Sequence, residues 1–138
     1  MLPIANSSGN HIVQSPGLVV IRNEMIHELR VIPVDGRPHA GSRIRSYMGD
    51  SRGHWEGQTL VVDTSNFNDT SNYNGGRRPY SCDIRLKERF TRVDRNTIQY
   101  EATLEDPKTW VRSWTVAFSR SRTRTTTSTS LPVTRATP

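Results

Sequence analysis

Three segments in the C-terminal half of the sequence each carry a stripe of apolar side chains at alternate positions. The segments span 84–93, 97–105 and 110–119. Because alternate residues of a β-strand point to the same face, this period predicts three strands. A clear amphipathic helix is not indicated anywhere, although 24–29 could form a brief helical turn. The alternation therefore restricts the chain to an all-β fold with little or no helix.

Turn residues divide the rest of the chain into further short strands. Apolar runs at 18–21, 27–34 and 59–64 each lie beside a glycine or proline that favours a turn. Successive strands with short links are typical of an antiparallel meander, and closure into a barrel hides the sheet edges. We predict a lipocalin-like or nitrobindin-like barrel, either closed or incompletely closed. A β-sandwich is the alternative, and an open sheet edge would favour a homodimer.

The charge of the chain is concentrated at its C-terminal end. The net charge is +6 over 138 residues, and 119–138 holds four arginines and no acid. A Ser/Thr/Arg composition cannot bury a core, so we predict one β domain over 1–118 and a basic disordered tail over 119–138. Nucleic-acid binding through this tail is the least favoured function, because no zinc-finger spacing or RNA-binding aromatic motif accompanies it.

The sequence contains few features that indicate the cellular location of the protein. The single cysteine, Cys82, excludes an internal disulfide. The apolar runs are far shorter than the ~20 residues that a membrane span requires. The first residues lack the charged and apolar regions of a signal peptide. The sequence as given therefore predicts no membrane span and shows no export signal, which corresponds to a cytoplasmic protein, but it does not determine the localisation.

Two of the predicted C-terminal strands carry one charged residue within the apolar stripe. These residues are Glu88 and Arg112. Counting residues across the two hairpins predicts that Ala102 lies between them, so that both charges form one inward row. A buried acid and base must be paired or used. The row is thus either a self-satisfied ion pair or the polar floor of a pocket for a small apolar or amphipathic molecule.

On the pocket interpretation, aromatic side chains form the walls and two further polar residues contribute. These substrate-binding candidates are Phe90, Tyr100, Trp110, Trp114, Arg37 and His27. No nucleophile motif is present, so hydrolysis of an ester or lactone by activated water is the simplest chemistry for such a site. The non-catalytic alternative is a lipocalin-like carrier of a small ligand.

Catalytic roles follow from that chemistry. Asp63, Glu88 or a histidine such as His39 would act as the general base. Arg112 or Arg37 would stabilise the developing oxyanion. We therefore expect Glu88, Arg112, Asp63 and His39 to converge on one cavity.

One segment is rich in oxygen ligands of the kind that calcium prefers. The candidate ligands are Asp63, Asn66, Asn68 and Asp69. The segment departs from the EF-hand pattern, because Arg77 stands where the bidentate glutamate should fall. A calcium site is therefore a secondary expectation beside an Asx-rich turn, and no other cofactor is predicted.

The segment from Met48 to Thr64 resembles a large, uncharacterised family of soil-bacterial proteins. The likeness is carried by Trp55-Glu56-Gly57-Gln58-Thr59-Leu60-Val61-Val62-Asp63-Thr64. The family has Trp-Glu-Gly-Asp-Thr-Leu-Val-Val-Asp-Thr there, so Gln58 replaces its usual Asp. The likeness also includes 35–39, 88–90, 106–107 and 114–115.

That resemblance implies a β-rich fold and no established reaction. Members of the family are usually longer and commonly begin with a signal peptide. The chain therefore resembles an N-terminally shortened member of a family whose longer proteins look exported.

Overall fold

The computed structural model describes residues 9–24, 28–68 and 80–122, and within these ranges it contains strands and no helix. The eight strands are β1 (Asn10–Ser15), β2 (Leu18–Asn23), β3 (Leu29–Pro33), β4 (Asp50–Glu56), β5 (Thr59–Ser65), β6 (Arg85–Arg92), β7 (Thr97–Glu105) and β8 (Trp114–Ser121). They form two antiparallel sheets, ordered β1-β2-β3 and β4-β5-β6-β7-β8. The predicted all-β antiparallel meander is confirmed.

The core lies between the inner faces of the two sheets. Val19, Ile21 and Ile32 of the three-stranded sheet pack with Leu60 and Val62 of the other. A second cluster extends along β6 and β7 and holds Phe67, Ile84, Leu86, Tyr100, Ala102 and Leu104. In the described part of the chain the two sheets do not join into a closed barrel. This agrees with an incompletely closed structure, and likeness to lipocalins stays a prediction.

The connections of the five-stranded sheet differ sharply between its two ends. Short turns at 57–58 and 93–96 join strands at one end. The long connections 34–49, 66–84 and 106–113 all meet the sheet at the opposite end, because neighbouring strands run antiparallel. From the described parts of these connections we select 34–49, 80–84 and 106–113, and we call these three segments the loop end. Sites are commonly built from such loops on a rigid sheet.

Strand β4 was not predicted, and its packing explains why. Its inner face carries the small residues Ser51 and Gly53 instead of an apolar stripe. A Cβ atom on Gly53 would lie 2.9 Å from side-chain atoms of both Ile32 and Val34. The close approach of β3 thus requires glycine at this position and removes the usual strand pattern. Strand β1 was also missed, since most of its residues are exposed on both faces.

The two C-terminal hairpins differ in how well their register was predicted. Glu88 faces Ala102 as expected. In the next hairpin, however, Leu104 pairs with Trp114, and Ala102 faces Val116 instead of Arg112. Arg112 is exposed in the loop before β8. The predicted Glu88–Arg112 row is therefore wrong.

The error in register comes from one loop. The backbone carbonyl of Asp106 accepts hydrogen bonds from the N–H groups of Thr109 and Trp110, at 3.0 and 2.8 Å. These bonds close a tight turn, so β8 begins at 114 and not at 110. The spacing of Trp110, Arg112 and Trp114 at every second position continues through this irregular segment. It therefore has the pattern of a strand without being one.

Some expectations fall partly or wholly outside the described residues. Strand β8 ends at Ser121, beyond the expected domain boundary at 118. The remainder of the predicted tail from 123 onward, together with His27 and Asp69, lies outside the described residues.

Candidate functional site

Glu88 lies deep between the sheets, and its partner is Arg30. Glu88 is 2% exposed and Arg30 is 7% exposed. The Arg30 Nη2 group donates to Glu88 Oε2, and the Tyr100 hydroxyl donates to Glu88 Oε1 at 2.9 Å. Because Arg30 belongs to β3 and Glu88 to β6, this ion pair links the two sheets across the core.

Arg30 also donates to two hydroxyl groups within the core. Its Nε group donates to Ser51 Oγ at 2.9 Å, and its Nη2 group donates to Thr64 Oγ1 at 2.7 Å. The two hydroxyls lie 2.9 Å apart and hydrogen-bond to each other. We call Arg30, Ser51, Thr64, Glu88 and Tyr100 the core network. Its members satisfy one another, as buried polar groups must.

Protonation in the core network follows from its geometry. Burial works to raise the pKa of Glu88, but the charge and hydrogen bond of Arg30 hold that pKa below its ordinary value. Burial and the neighbouring Glu88 carboxylate raise the pKa of the Tyr100 hydroxyl. Glu88 is thus a shielded carboxylate and Tyr100 a fixed donor, which gives the network a structural role.

A second polar cluster lies at the loop end on the outer face of β4 and β5. It consists of His39, Asp50, Arg52 and Asp63, and we call it the His39 cluster. His39 belongs to the connection before β4, and Asp50 is the first residue of that strand. Arg52 and Asp63 are directly opposite each other in the β4–β5 pair. The hairpin register thereby brings two sequence-distant carboxylates to one histidine.

The imidazole of His39 lies between the two carboxylates. Its Nδ1 atom is 3.0 Å from Asp50 Oδ2, and its Nε2 atom is 3.9 Å from Asp63 Oδ1. The side chains of His39 and Asp63 are 31% and 51% exposed, so a small molecule can reach them from solvent. Asp50 is more enclosed, at 20%.

Asp50 is held by three donors. The Ala40 N–H group donates at 2.8 Å, Arg52 Nη1 donates at 2.5 Å, and His39 Nδ1 completes the set. Partial burial works to raise the pKa of Asp50, but these hydrogen bonds and the Arg52 charge hold it below its ordinary value. When the imidazole is neutral and its Nδ1–H group donates to the ionised Asp50 carboxylate, the lone pair of the ring is on Nε2.

The other predicted polar residue of the site lies elsewhere. Arg37 forms an exposed pair with Asp35, two residues away, through hydrogen bonds from its Nε and Nη2 atoms. Gly36 lies between the two residues of this pair and has a left-handed conformation, with a φ angle of +79°. Within the described residues Arg37 therefore has no contact with the His39 cluster.

The predicted aromatic walls separate into two groups. Phe90 and Tyr100 pack edge-to-face in the core with ring centroids 4.9 Å apart. Trp110 and Trp114 pair at the loop end with centroids 5.7 Å apart. The first group covers the core network and the second lies near the surface, so they do not enclose one pocket with Glu88 and Arg112.

The expected calcium ligands also have other roles. Asp63 lies beside His39, and Asn66 donates through Nδ2 to the carbonyl of Ala40 at 2.9 Å. Asn66 has a φ angle of +58°, the left-handed conformation that asparagine tolerates after a strand. Among the described residues, histidine, cysteine and carboxylate side chains form no group of three that could hold a metal ion.

Sequence reasoning missed Arg30, Asp50 and Arg52. Arg30 shares a strand face with Ile32, so it was a third charged residue within an apolar stripe and could have been found. Asp50 and Arg52 alternate with Ser51 in a polar strand, and that pattern has no apolar marker. Their convergence with His39 depends on the fold of the preceding connection.

Acidification is expected to destabilise the protein through its paired carboxylates. Glu88, Asp50 and Asp106 all have pKa values below the ordinary range. A carboxylate with a lowered folded-state pKa contributes its full stability above the unfolded pKa, near 4, and loses it as the pH falls further. We expect the urea midpoint to be flat between about pH 7 and 5 and to fall below about pH 4. A midpoint that rises on acidification would contradict this assignment.

No helix in the described ranges is long and apolar enough to cross a bilayer.

Comparison of the chain with protein-family models, with curated proteins and with solved structures found no match.

Proposed function

We propose that the protein hydrolyses small esters or lactones with water activated by His39. The observation that carries this proposal is the alignment of Asp50, His39 and Asp63. In the neutral tautomer whose Nδ1 donates to Asp50, Nε2 carries the lone pair and lies 3.9 Å from Asp63, and the His39 side chain is 31% exposed. A carboxylate–imidazole pair of this kind is the arrangement that enzymes use for general-base catalysis.

Each residue of the His39 cluster has a distinct role in this reaction. The water oxygen attacks the carbonyl carbon while its proton moves to His39 Nε2. Asp50 keeps Nδ1 protonated and stabilises the imidazolium that forms. Asp63, 3.9 Å from Nε2, orients the attacking water by accepting its second proton in a hydrogen bond. The imidazolium then gives its proton to the leaving alkoxide, which yields an acid and an alcohol, or a hydroxy acid from a lactone.

Arg52 is the best candidate to stabilise the tetrahedral oxyanion. Its Nη1 atom bonds Asp50 and the Ser51 carbonyl, and its Nε atom bonds the Pro38 carbonyl at 2.9 Å. These bonds fix the guanidinium plane, while Nη2 has no hydrogen-bond partner among the described residues. A fixed cation with an unused donor costs little reorganisation when negative charge develops nearby. Two carboxylates in the cluster favour neutral substrates over anionic ones.

A variant of His39 tests the proposed function. We expect His39→Gln to lower kcat/KM for short p-nitrophenyl esters and small lactones by about 100-fold, because the general base is lost. The matched control is His54→Gln. His54 lies on β4, is exposed and pairs with one carboxylate, through Nε2 to Glu56 at 3.1 Å, but among the described residues no second carboxylate lies on the other side of its ring to orient a water molecule.

The control variant is expected to hydrolyse these substrates at the wild-type rate. Equal activity in wild type and His39→Gln, or no activity in either, would reject the proposed reaction. Saturable binding of the substrates without hydrolysis would support the carrier alternative instead.

A further inference from the structure

The three connections of the loop end are tied together by charge. Arg45 donates to the Cys82 carbonyl at 2.8 Å and lies 3.5 Å from Asp83. Asp83 in turn pairs with Lys108 at 2.5 Å. Ser81 donates to Asp106 at 2.8 Å. One connected set of contacts thus holds 34–49, 80–84 and 106–113 side by side.

Apolar side chains project into solvent from this end of the molecule. Val111 is fully exposed, at 107% of its reference area, and Ile44 is 67% exposed. Trp114 is 41% exposed and packs edge-on against Trp110. These three side chains come from two of the loop-end connections and from the first residue of β8.

The loop that presents Val111 is ordered by its own hydrogen bonds. Asp106 is 2% exposed and accepts bonds from the Thr109 hydroxyl at 2.6 Å and the Lys108 N–H group at 3.1 Å. Trp110 packs against the core cluster. Because these contacts hold the chain immediately before Val111 and β8 begins three residues after it, exposure of Val111 is a feature of the folded structure.

Cations alternate with these apolar tips. Arg43 precedes Ile44, and Arg112 follows Val111. Both arginines are exposed, and among the described residues neither has an acidic partner. The loop end therefore combines uncompensated positive charge with aliphatic and indole side chains.

We propose that the loop end docks on the surface of anionic phospholipid bilayers. Aliphatic and tryptophan side chains enter the boundary between headgroups and acyl chains, while arginines contact lipid phosphates. Arginines without an acidic partner beside exposed aliphatic and indole side chains match a layer of anionic headgroups above an apolar layer, which is why a bilayer is the occupant proposed. The side chains proposed to contact the bilayer are those of Arg43, Ile44, Val111, Arg112 and Trp114, and none of these belongs to the His39 cluster.

Vesicle co-sedimentation tests the proposal with the full chain. We expect binding to phosphatidylcholine vesicles that contain phosphatidylglycerol, and much weaker binding to vesicles of phosphatidylcholine alone or at high salt. We expect Val111→Asp to weaken binding to the anionic vesicles by about tenfold, since it places a charge at the inserted tip. We expect Arg112→Ala to weaken it by about fivefold.

The matched control is Val13→Asp. Val13 is 48% exposed but belongs to β1 of the other sheet, so its replacement should leave vesicle binding unchanged. Thermal unfolding of Val111→Asp should match wild type, which separates docking from folding.

Absence of wild-type binding to anionic vesicles would overturn the proposal. An equal loss in Val13→Asp, or an unchanged affinity in Val111→Asp, would also overturn it. Vesicle binding would then come from the arginines beyond 122 and not from the loop end. His39→Gln should bind vesicles as wild type does, so failure of the proposed hydrolysis and failure of docking are distinguishable.

Discussion

Replacement of Arg30 by methionine is expected to lower the free energy of unfolding by about 3–5 kcal/mol, the largest stability effect that we expect from one substitution. The change leaves the Glu88 carboxylate buried without its cation. It also removes the guanidinium donors to Ser51 and Thr64. Among the hydrogen bonds of the described residues, the two hydroxyls then keep only the hydrogen bond to each other. Urea denaturation followed by tryptophan fluorescence measures the loss.

The double variant Arg30→Met with Glu88→Leu separates the ion pair from the fold. Apolar replacement of a whole buried pair is often nearly neutral, so we expect the double variant to recover most of the lost stability. Arg112→Met is the matched control, because Arg112 is exposed in a loop. Equal destabilisation by Arg30→Met and Arg112→Met, or additive losses in the double variant, would contradict the core network.

Replacement of Asp106 by alanine is expected to lower the free energy of unfolding by about 3 kcal/mol, because it removes four hydrogen bonds to a buried carboxylate. The carboxylate accepts bonds from the Ser81 N–H and hydroxyl, the Thr109 hydroxyl and the Lys108 N–H. It therefore joins the connection before β6 to the connection after β7. Burial works to raise the pKa of Asp106, but these bonds hold it below its ordinary range.

The control for this prediction is Asp94→Ala in the β6–β7 turn. Asp94 also accepts a backbone bond, from Asn96 at 2.7 Å, but it is exposed and joins only neighbouring residues. We expect a clearly smaller loss for Asp94→Ala in the same urea experiment. If the two variants lose the same stability, Asp106 does not act as the link between the two connections.

The strands that the sequence predicted are those whose stabilising contacts are local or periodic. The β6–β7 hairpin follows from alternation and a tight turn, and its Glu88–Ala102 pairing is confirmed. Strand β4 has no apolar stripe, since Gly53 makes room for β3. A close approach between sheets is a property of two segments and leaves no period in either one.

The candidate site was accessible to sequence reasoning only in part. His39 and Asp63 were each chosen as candidates, and the structure brings them within 3.9 Å. Arg112 was assigned to an inward face because alternation runs on through the loop before β8. Asp50 and Arg52 carried no signal, because their role depends on how 34–49 folds back over β4.

The sequence by itself determined the all-β class, the meander and the inward position of Glu88, because alternation of side chains specifies a strand and its buried face. Only the tertiary structure decided the partner of Glu88 and the neighbours of His39. Arg30 and Glu88 belong to different sheets, and Asp50 and Asp63 meet through a hairpin register. Such pairings are selected by the packing free energy of the whole fold, which no local pattern records.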